Sequence, residues 1–365
     1  MGSRSLTGEM QKVPAKEPFW EPLVVFVPGF LGSSLWCGGT ARPEPGKWEE
    51  VWGENAWMSA RTLVKSIRQL ESSEMEPRRV IRHFSLGKFR VHDVYGSLLD
   101  FCTEPGGLGL RPGCFFEFPY DWRASVADTA SLLQGFIQDV DPSGRRPIRF
   151  IAHSLGGLVV RVLLARFGEL ARRTQLLFQI ASPVTGTQKA YDYLRHEQRF
   201  SSGLDAILQL VHRIAPSKAA DLREIVMSFA SLYELLPAGE RTLVDVSDGC
   251  THSPLSRQYW PSTSHPHLET AERTHAMLAR PIPNVRTVRI YADAHSTLCL
   301  HHVDGTGQVR AWQEFKVGDA TVIWRSACGC SASNDISLRQ EGKQTRHVEL
   351  CGNPRVWEIL RAYMT

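Results

Sequence analysis

The residues with the clearest chemical meaning run Ala152-His153-Ser154-Leu155-Gly156-Gly157. A serine hydroxyl becomes a useful nucleophile when a sharp backbone turn lifts its Oγ clear of its neighbours and a base can reach it. The apolar run at 148–152, opened by Pro147, leads straight into Ser154. A helical pattern follows at once, with Leu158, Val162, Ala165 and Phe167 at helical spacing. This is the strand–serine–helix turn of the pattern G-x-S-x-G, with Ala152 in the first place. Large side chains at its flanks would collide with the neighbouring strand or helix. A serine that only capped a helix would not need two consecutive glycines.

Acyl transfer at such a serine also needs donors for a developing oxyanion. Leu155 opens the helix, so its N–H points into the space above Ser154 and is the first candidate. The loop Val27-Pro28-Gly29-Phe30-Leu31-Gly32-Ser33 follows another apolar strand, and its glycines let backbone approach a substrate closely. The second donor is assigned to the Phe30 backbone, with Leu31 as the neighbouring possibility.

A base and an acid must follow the serine in the order Ser, Asp or Glu, His. Asp319 stands in the turn Val317-Gly318-Asp319-Ala320-Thr321-Val322, and His347 is the only histidine after it. Asp293, Asp304 and Asp335 compete as the acid, and Asp293 follows a strong strand; on pattern alone the choice stays open. His295, His301, His302 and Asp304 match no metal-ligand spacing and read as a surface loop. No metal or cofactor is expected, because serine acyl transfer needs none.

These groups must be carried by a scaffold. Apolar, β-branched-rich runs at 23–27, 148–152, 176–181 and 285–291 read as strands buried on both faces. Residues 125–140 and 155–167 carry helical periodicity, and 353–363 begins Asn-Pro and reads as a terminal helix. Strands alternating with helices imply an α/β-hydrolase fold, a mostly parallel doubly wound sheet. From 186 to 280 the pattern turns largely helical with no buried strand, and 203–210, 219–232 and 268–278 are its helical candidates. The expected plan is a flexible lead at 1–21, a core at 22–185 and 281–365, and a cap or lid insertion at 186–280. Residues 204–214 are a candidate lipid-facing helix, although a core-facing amphipathic helix would look the same.

The totals are those of a globular chain that can bury a sizeable core: 365 residues, 42% hydrophobic, 22% charged. The net charge of +4 is mild and interspersed, so no nucleic-acid partner is expected. The eight cysteines are scattered and read as free thiols. The start of the chain lacks an apolar signal-like core, and no apolar run approaches the ~18 residues of a membrane span. The expected location is therefore cytoplasmic, with any membrane contact peripheral and through the cap.

At this point the motifs resemble those of the lecithin:cholesterol acyltransferase family, which includes lysosomal phospholipase A2 and phospholipid:diacylglycerol acyltransferases. The resemblance spans roughly residues 22 to 360 and rests on passages in family order. They are the 27–33 loop, Phe118-Pro119-Tyr120-Asp121-Trp122-Arg123, the Ser154 turn, Ser182-Pro183-Val184-Thr185-Gly186-Thr187, Leu235-Leu236-Pro237 and Gly318-Asp319-Ala320-Thr321-Val322. It implies that Asp319 rather than Asp293 is the acid, and that Asp121 is structural, set against Arg123 or the backbone. The family's N-terminal disulfide cannot be placed here, and the cap shows little family sequence beyond Leu-Leu-Pro.

The expected activity is a serine-dependent lipase, phospholipase or O-acyltransferase acting on lipid acyl esters through an acyl-enzyme, with Ser154, Asp319 and His347 as the triad. A soluble carboxylesterase for small esters, or a catalytically inactive binding module, are the alternatives.

Overall fold

Leu23–Val27 (β1) has no polar side chain, and all five residues are buried. The computed structural model describes residues 21–38, 48–86, 89–195, 215, 217, 219–282, 284–329 and 335–364. The expected flexible lead up to residue 20, the helical candidates at 203–210 and 204–214, and Cys330 lie outside these residues. Against β1 stand Phe115–Glu117 (β2) on one side and Ile148–His153 (β3) on the other. Beyond β3 follow Thr174–Ile180 (β4), Arg286–Tyr291 (β5) and Asp335–Arg339 (β6). The order is β6-β5-β4-β3-β1-β2, and every pairing is parallel.

This is the α/β-hydrolase fold. Strands with both faces covered are mostly apolar, which is why β1, β3, β4 and β5 are legible in the sequence, whereas the short β2 and β6, which carry charged residues, are not. Each fully buried Val, Leu or Phe contributes roughly 1.5–3 kcal/mol. The chain leaves β1 toward β2 and then crosses to β3 on the other side, so the strand order reverses between β1 and β3. The crevice at the carboxyl ends of such strands is where ligands bind. Register aligns the two ends: Val27 is paired with Ala152, so the Pro28–Leu31 loop and Ser154 leave the sheet side by side.

Helices Val126–Val140 (α1) and Leu155–Arg166 (α2) pack together on the sheet. The first ten residues of α2 are buried on every side. The closing helix Pro354–Met364 agrees with the predicted one to within a residue.

The region from 186 to 280 is helical in part, through Gln188–Arg195 (α3), Ala219–Val226 (α4), Ala230–Glu234 (α5) and His265–Leu278 (α6). Two differences have physical causes. The predicted helix at 219–232 breaks at Phe229, which is extended and packs its ring on Trp122 at 5.7 Å. Ser231 then donates its hydroxyl to the Trp122 carbonyl at 2.6 Å, and these tertiary contacts outcompete helical continuity. Strands also occur here: Leu243–Asp245 pairs with Thr251–His252 and with His295–Val303, which in turn pairs with Val309–Gly318. The expected surface loop of histidines is therefore a strand. His301 is fully buried, its Nε2 2.8 Å from Asp192 Oδ1 of α3.

A buried carboxyl ties α5 and α6 to α1. Glu234 is fully buried; its Oε2 accepts the Val126 N–H at 2.7 Å and its Oε1 accepts the Thr274 hydroxyl at 2.6 Å. Burial raises its pKa from 4.5 to about 7. Between those values the folded protein holds a proton that the unfolded chain has released. Acidification through this window therefore stabilises the fold, and the burial cost is fully expressed above pH 7. We predict that Glu234→Gln is more stable than the parent at pH 8 by roughly 2 to 3 kcal/mol, shrinking toward zero near pH 5. Denaturant unfolding at the two pH values tests this; a constant difference would contradict it.

Candidate active site

Ser154 sits between β3 and α2 with φ 51° and ψ −124°, a conformation that L-residues avoid. Such strain costs about 1–3 kcal/mol and persists only where the surroundings over-determine it. Here they do: Ser154 N–H donates to the Ile180 carbonyl of β4 at 2.9 Å, and the buried α2 follows immediately. A Cβ on Gly156 would lie 2.3 Å from the Val27 carbonyl oxygen, so only glycine lets α2 approach β1 this closely. Among the described residues, Leu31, Ala181 and Ala320 are also non-glycine positions with positive φ, and all lie in turns at strand ends around Ser154 or Asp319.

His347 Nε2 lies 2.9 Å from Ser154 Oγ, and its Nδ1 lies 2.9 Å from Asp319 Oδ2. A carboxylate only accepts, so Nδ1 carries the proton and Nε2 is left to accept from the serine hydroxyl. Asp319 is itself oriented. Its Oδ1 accepts the N–H groups of Thr321 and Val322 at 2.9 and 2.7 Å, and its carbonyl accepts the His347 N–H at 2.9 Å. The rival carboxylates are engaged elsewhere: Asp293 with Arg339, Asp304 with Arg310, and Asp335 with Arg289.

The amide of Leu155 is at the first position of α2, where no preceding helical carbonyl is available to it. The loop carrying Phe30 passes directly over the serine: a Cβ on Gly29 would come within 2.9 Å of Ser154 Cβ. What fixes this loop is the 118–123 passage. Tyr120 donates its hydroxyl to the Pro28 carbonyl at 2.9 Å, Trp122 donates Nε1 to the Ser33 carbonyl at 3.1 Å, and the Phe30 ring meets Trp122 edge-on at 5.1 Å. Trp52 adds a bond from Nε1 to the Leu31 carbonyl at 3.0 Å. Asp121 pairs with Arg123 at 2.6 Å, and Arg123 in turn donates to the carbonyls of Leu70 and Ser72. The aromatic residues of this motif buttress the loop, a role that its residue types do not reveal.

Sequence reasoning missed two further residues. Burial holds the pKa of His153 well below its ordinary value, so its ring is neutral. Its Nε2 lies 3.2 Å from the His347 carbonyl, which can only accept, so Nε2 carries the hydrogen. Nδ1 is then an acceptor for the Tyr95 hydroxyl at 2.8 Å, and the Tyr95 oxygen accepts the Gly29 N–H at 2.9 Å. One chain of buried hydrogen bonds thus joins the Phe30 loop to the backbone of His347. The histidine beside Ser154 was in view, but nothing near Tyr95 marks it as its partner.

A cavity of about 310 Å³ opens onto Ser154 and His347. Phe30, Tyr193, Leu232, Leu235 and Val322 give it apolar walls, with the Lys189 ammonium 5.5 Å from the Tyr193 ring. Such walls suit an acyl chain.

The family model for lecithin:cholesterol acyltransferase matches residues 78–293, more than half of the chain. This chain belongs to that family. The match includes Ser154 and the 118–123 passage and ends before Asp319 and His347. As a member the protein is an acyl-ester hydrolase or acyltransferase. No curated protein matches it. Among solved structures, a chain of the Tle4–Tli4 complex is 15% identical with a TM-score of 0.55, covering 94% of this chain and 98% of that one. That likeness is one of fold. Bacillus licheniformis lipase BlEst2 in its mature form is 11% identical, with a TM-score of 0.38 and coverage of 94% and 92%. Phospholipase PlaB from Legionella pneumophila is 12% identical, with a TM-score of 0.40 and coverage of 94% and 60%. Among the described residues no helix is long and apolar enough to cross a membrane, and the seven cysteines there form no disulfide.

Removing the Tyr95 hydroxyl would leave the Gly29 N–H and His153 Nδ1 buried without partners. Tyr95→Phe is expected to lose about 1–3 kcal/mol of stability. Its kcat on an ester substrate should fall by about ten- to a hundred-fold through misplacement of His347. Steady-state kinetics beside a thermal melt check this, and an unchanged kcat would remove Tyr95 from the positioning network.

Proposed function

We propose that the protein is a serine-dependent acyl hydrolase or acyltransferase of lipid esters, with Ser154 as nucleophile, His347 as base and Asp319 as acid. The observation that carries the reading is the unbroken run of 2.9 Å contacts from Ser154 Oγ through His347 to Asp319. His347 Nε2 takes the hydroxyl proton as Oγ attacks the ester carbonyl, and the oxyanion of the tetrahedral intermediate is met by the N–H groups of Phe30 and Leu155. The ester C–O bond breaks, His347 returns the proton to the departing alkoxide, and the acyl group stays on Ser154. Water or an alcohol then gives its proton to His347 and attacks the acyl-enzyme, releasing acid or new ester and restoring the serine.

Lipid as the substrate class follows from family membership together with the apolar cavity. In this reading residues 186–280 act as a cap, since Tyr193, Leu232 and Leu235 of that stretch supply its walls. Contact with a lipid surface through the cap is part of the proposal.

The test is incubation with phosphatidylcholine vesicles, with and without a long-chain alcohol, products being resolved by mass. Fatty acid alone in the first case and alkyl ester in the second are expected. Ser154→Ala should retain its melting temperature and lose turnover by about 10⁴-fold or more. Full activity in that variant would refute the nucleophile. Turnover of short soluble esters with none on vesicles would replace lipid by small esters as the substrate class.

A further inference from the structure

Gln188 and Asp192 stand one turn apart on α3 and meet His301 of the strand His295–Val303. The imidazole is fully buried, with Nδ1 3.2 Å from Gln188 Oε1 and Nε2 2.8 Å from Asp192 Oδ1. Gln188 Nε2 donates to the Thr242 carbonyl at 3.0 Å, which fixes the amide with its oxygen toward the ring. That oxygen only accepts, so Nδ1 carries a hydrogen. A carboxylate at Asp192 also only accepts, so Nε2 carries one too. The result is an imidazolium held by a carboxylate in a buried site, the two together neutral. Other titratable groups on the packed elements are engaged elsewhere. Tyr191 donates its hydroxyl to the Gly307 carbonyl at 2.8 Å, and Arg195 donates to the Thr306 and Gly307 carbonyls. Asp245 accepts from Ser247 and Tyr259, Asp304 pairs with Arg310, and Glu314 accepts the Ser296 hydroxyl.

We propose that Asp192 and His301 are positioning residues for the cavity beside Ser154, and that the proton they share latches its α3 wall. Gln188 and Asp192 face His301, whereas Lys189, Ala190 and Tyr193 of the same helix line the cavity. Loss of the shared proton at alkaline pH leaves a net negative charge buried and sets the Nε2 lone pair against Oδ1. The contact turns from attraction to repulsion, and α3 slackens. The acyl chain is then held less well, a consequence that rests on the activity proposed above. Asp319 keeps the Thr321 and Val322 amides whatever α3 does, so the loss falls on KM more than on kcat.

The test is the pH profile of long-chain ester turnover by the full chain, with Asp192→Asn beside the parent. The amide this substitution introduces would donate to Nε2 of a neutral imidazole while Nδ1 still serves Gln188. Both hydrogen bonds are kept, with no proton to lose. The parent's kcat/KM should fall by about tenfold per pH unit along an alkaline limb carried by KM. Asp192→Asn should lose that limb and keep the acid limb set by His347. Histidine labelled with nitrogen-15 in its ring gives a readout independent of turnover and of the variant's folding. At pH 7 the parent should show an imidazolium, with hydrogen on both nitrogens, that is missing from His301→Gln. An alkaline limb retained by Asp192→Asn, or a His301 ring with one bare nitrogen at pH 7, would overturn the inference. A doubly protonated His301 in a protein that turns over no ester at any pH would count against the acyl activity alone and uphold the latch.

Discussion

The strained turn at Ser154 is the constraint on which the rest of the arrangement depends. At Ser154 the positive φ persists because strand and helix are both fixed. β3 fixes one side through its pairing with β1 and β4, and the fully buried α2 fixes the other. Because β1 and β3 are neighbours in register, the same sheet delivers the Gly29 loop to the serine, where Tyr120, Trp122, Trp52 and Tyr95 hold it. The hydroxyl, the first amide of α2 and the Phe30 loop are thereby brought to one end of the central sheet.

The remaining parts arrive by long excursions. Asp319 follows the hairpin His295–Val303 and Val309–Gly318, and His347 follows β6. Their meeting depends on local bonds that close the acid turn on itself and tie the base back to it: the Thr321 and Val322 amides on Asp319, and the His347 amide on the Asp319 carbonyl. A turn that satisfies its own carboxylate keeps its shape in a partly dry site, where an unpaired charge would be costly.

The legible portion of the sequence was the portion whose signal is local. Buried parallel strands are continuously apolar, and the turn at 152–157 needs small residues, so both could be read from neighbours in the chain. The candidate acid could not: local pattern favours Asp319 over Asp293 only modestly, and it is the family resemblance that moves Asp319 well ahead. The 310–316 strand went unread because residues exposed on both faces show no alternation. The sheet of Ser33–Gly38, Trp48–Trp52 and Met75–Val80 escaped for a related reason, since its strands are short and the last carries only two apolar residues besides its proline. The division at 186–280 rested on the absence of strands, yet Leu243–Asp245 shares a sheet with His295–Val303. Tyr95 was invisible because its two partners lie 66 and 58 residues away.

The hydrogen-bond chain from Gly29 through Tyr95 and His153 to the His347 carbonyl has an evolutionary consequence. It ties the 28–31 loop to the backbone of His347, so neither can drift independently. Mutations that move the 28–31 loop would be transmitted to the backbone of His347. Change is thereby channelled toward cavity walls that this network does not touch, Tyr193, Leu232 and Leu235.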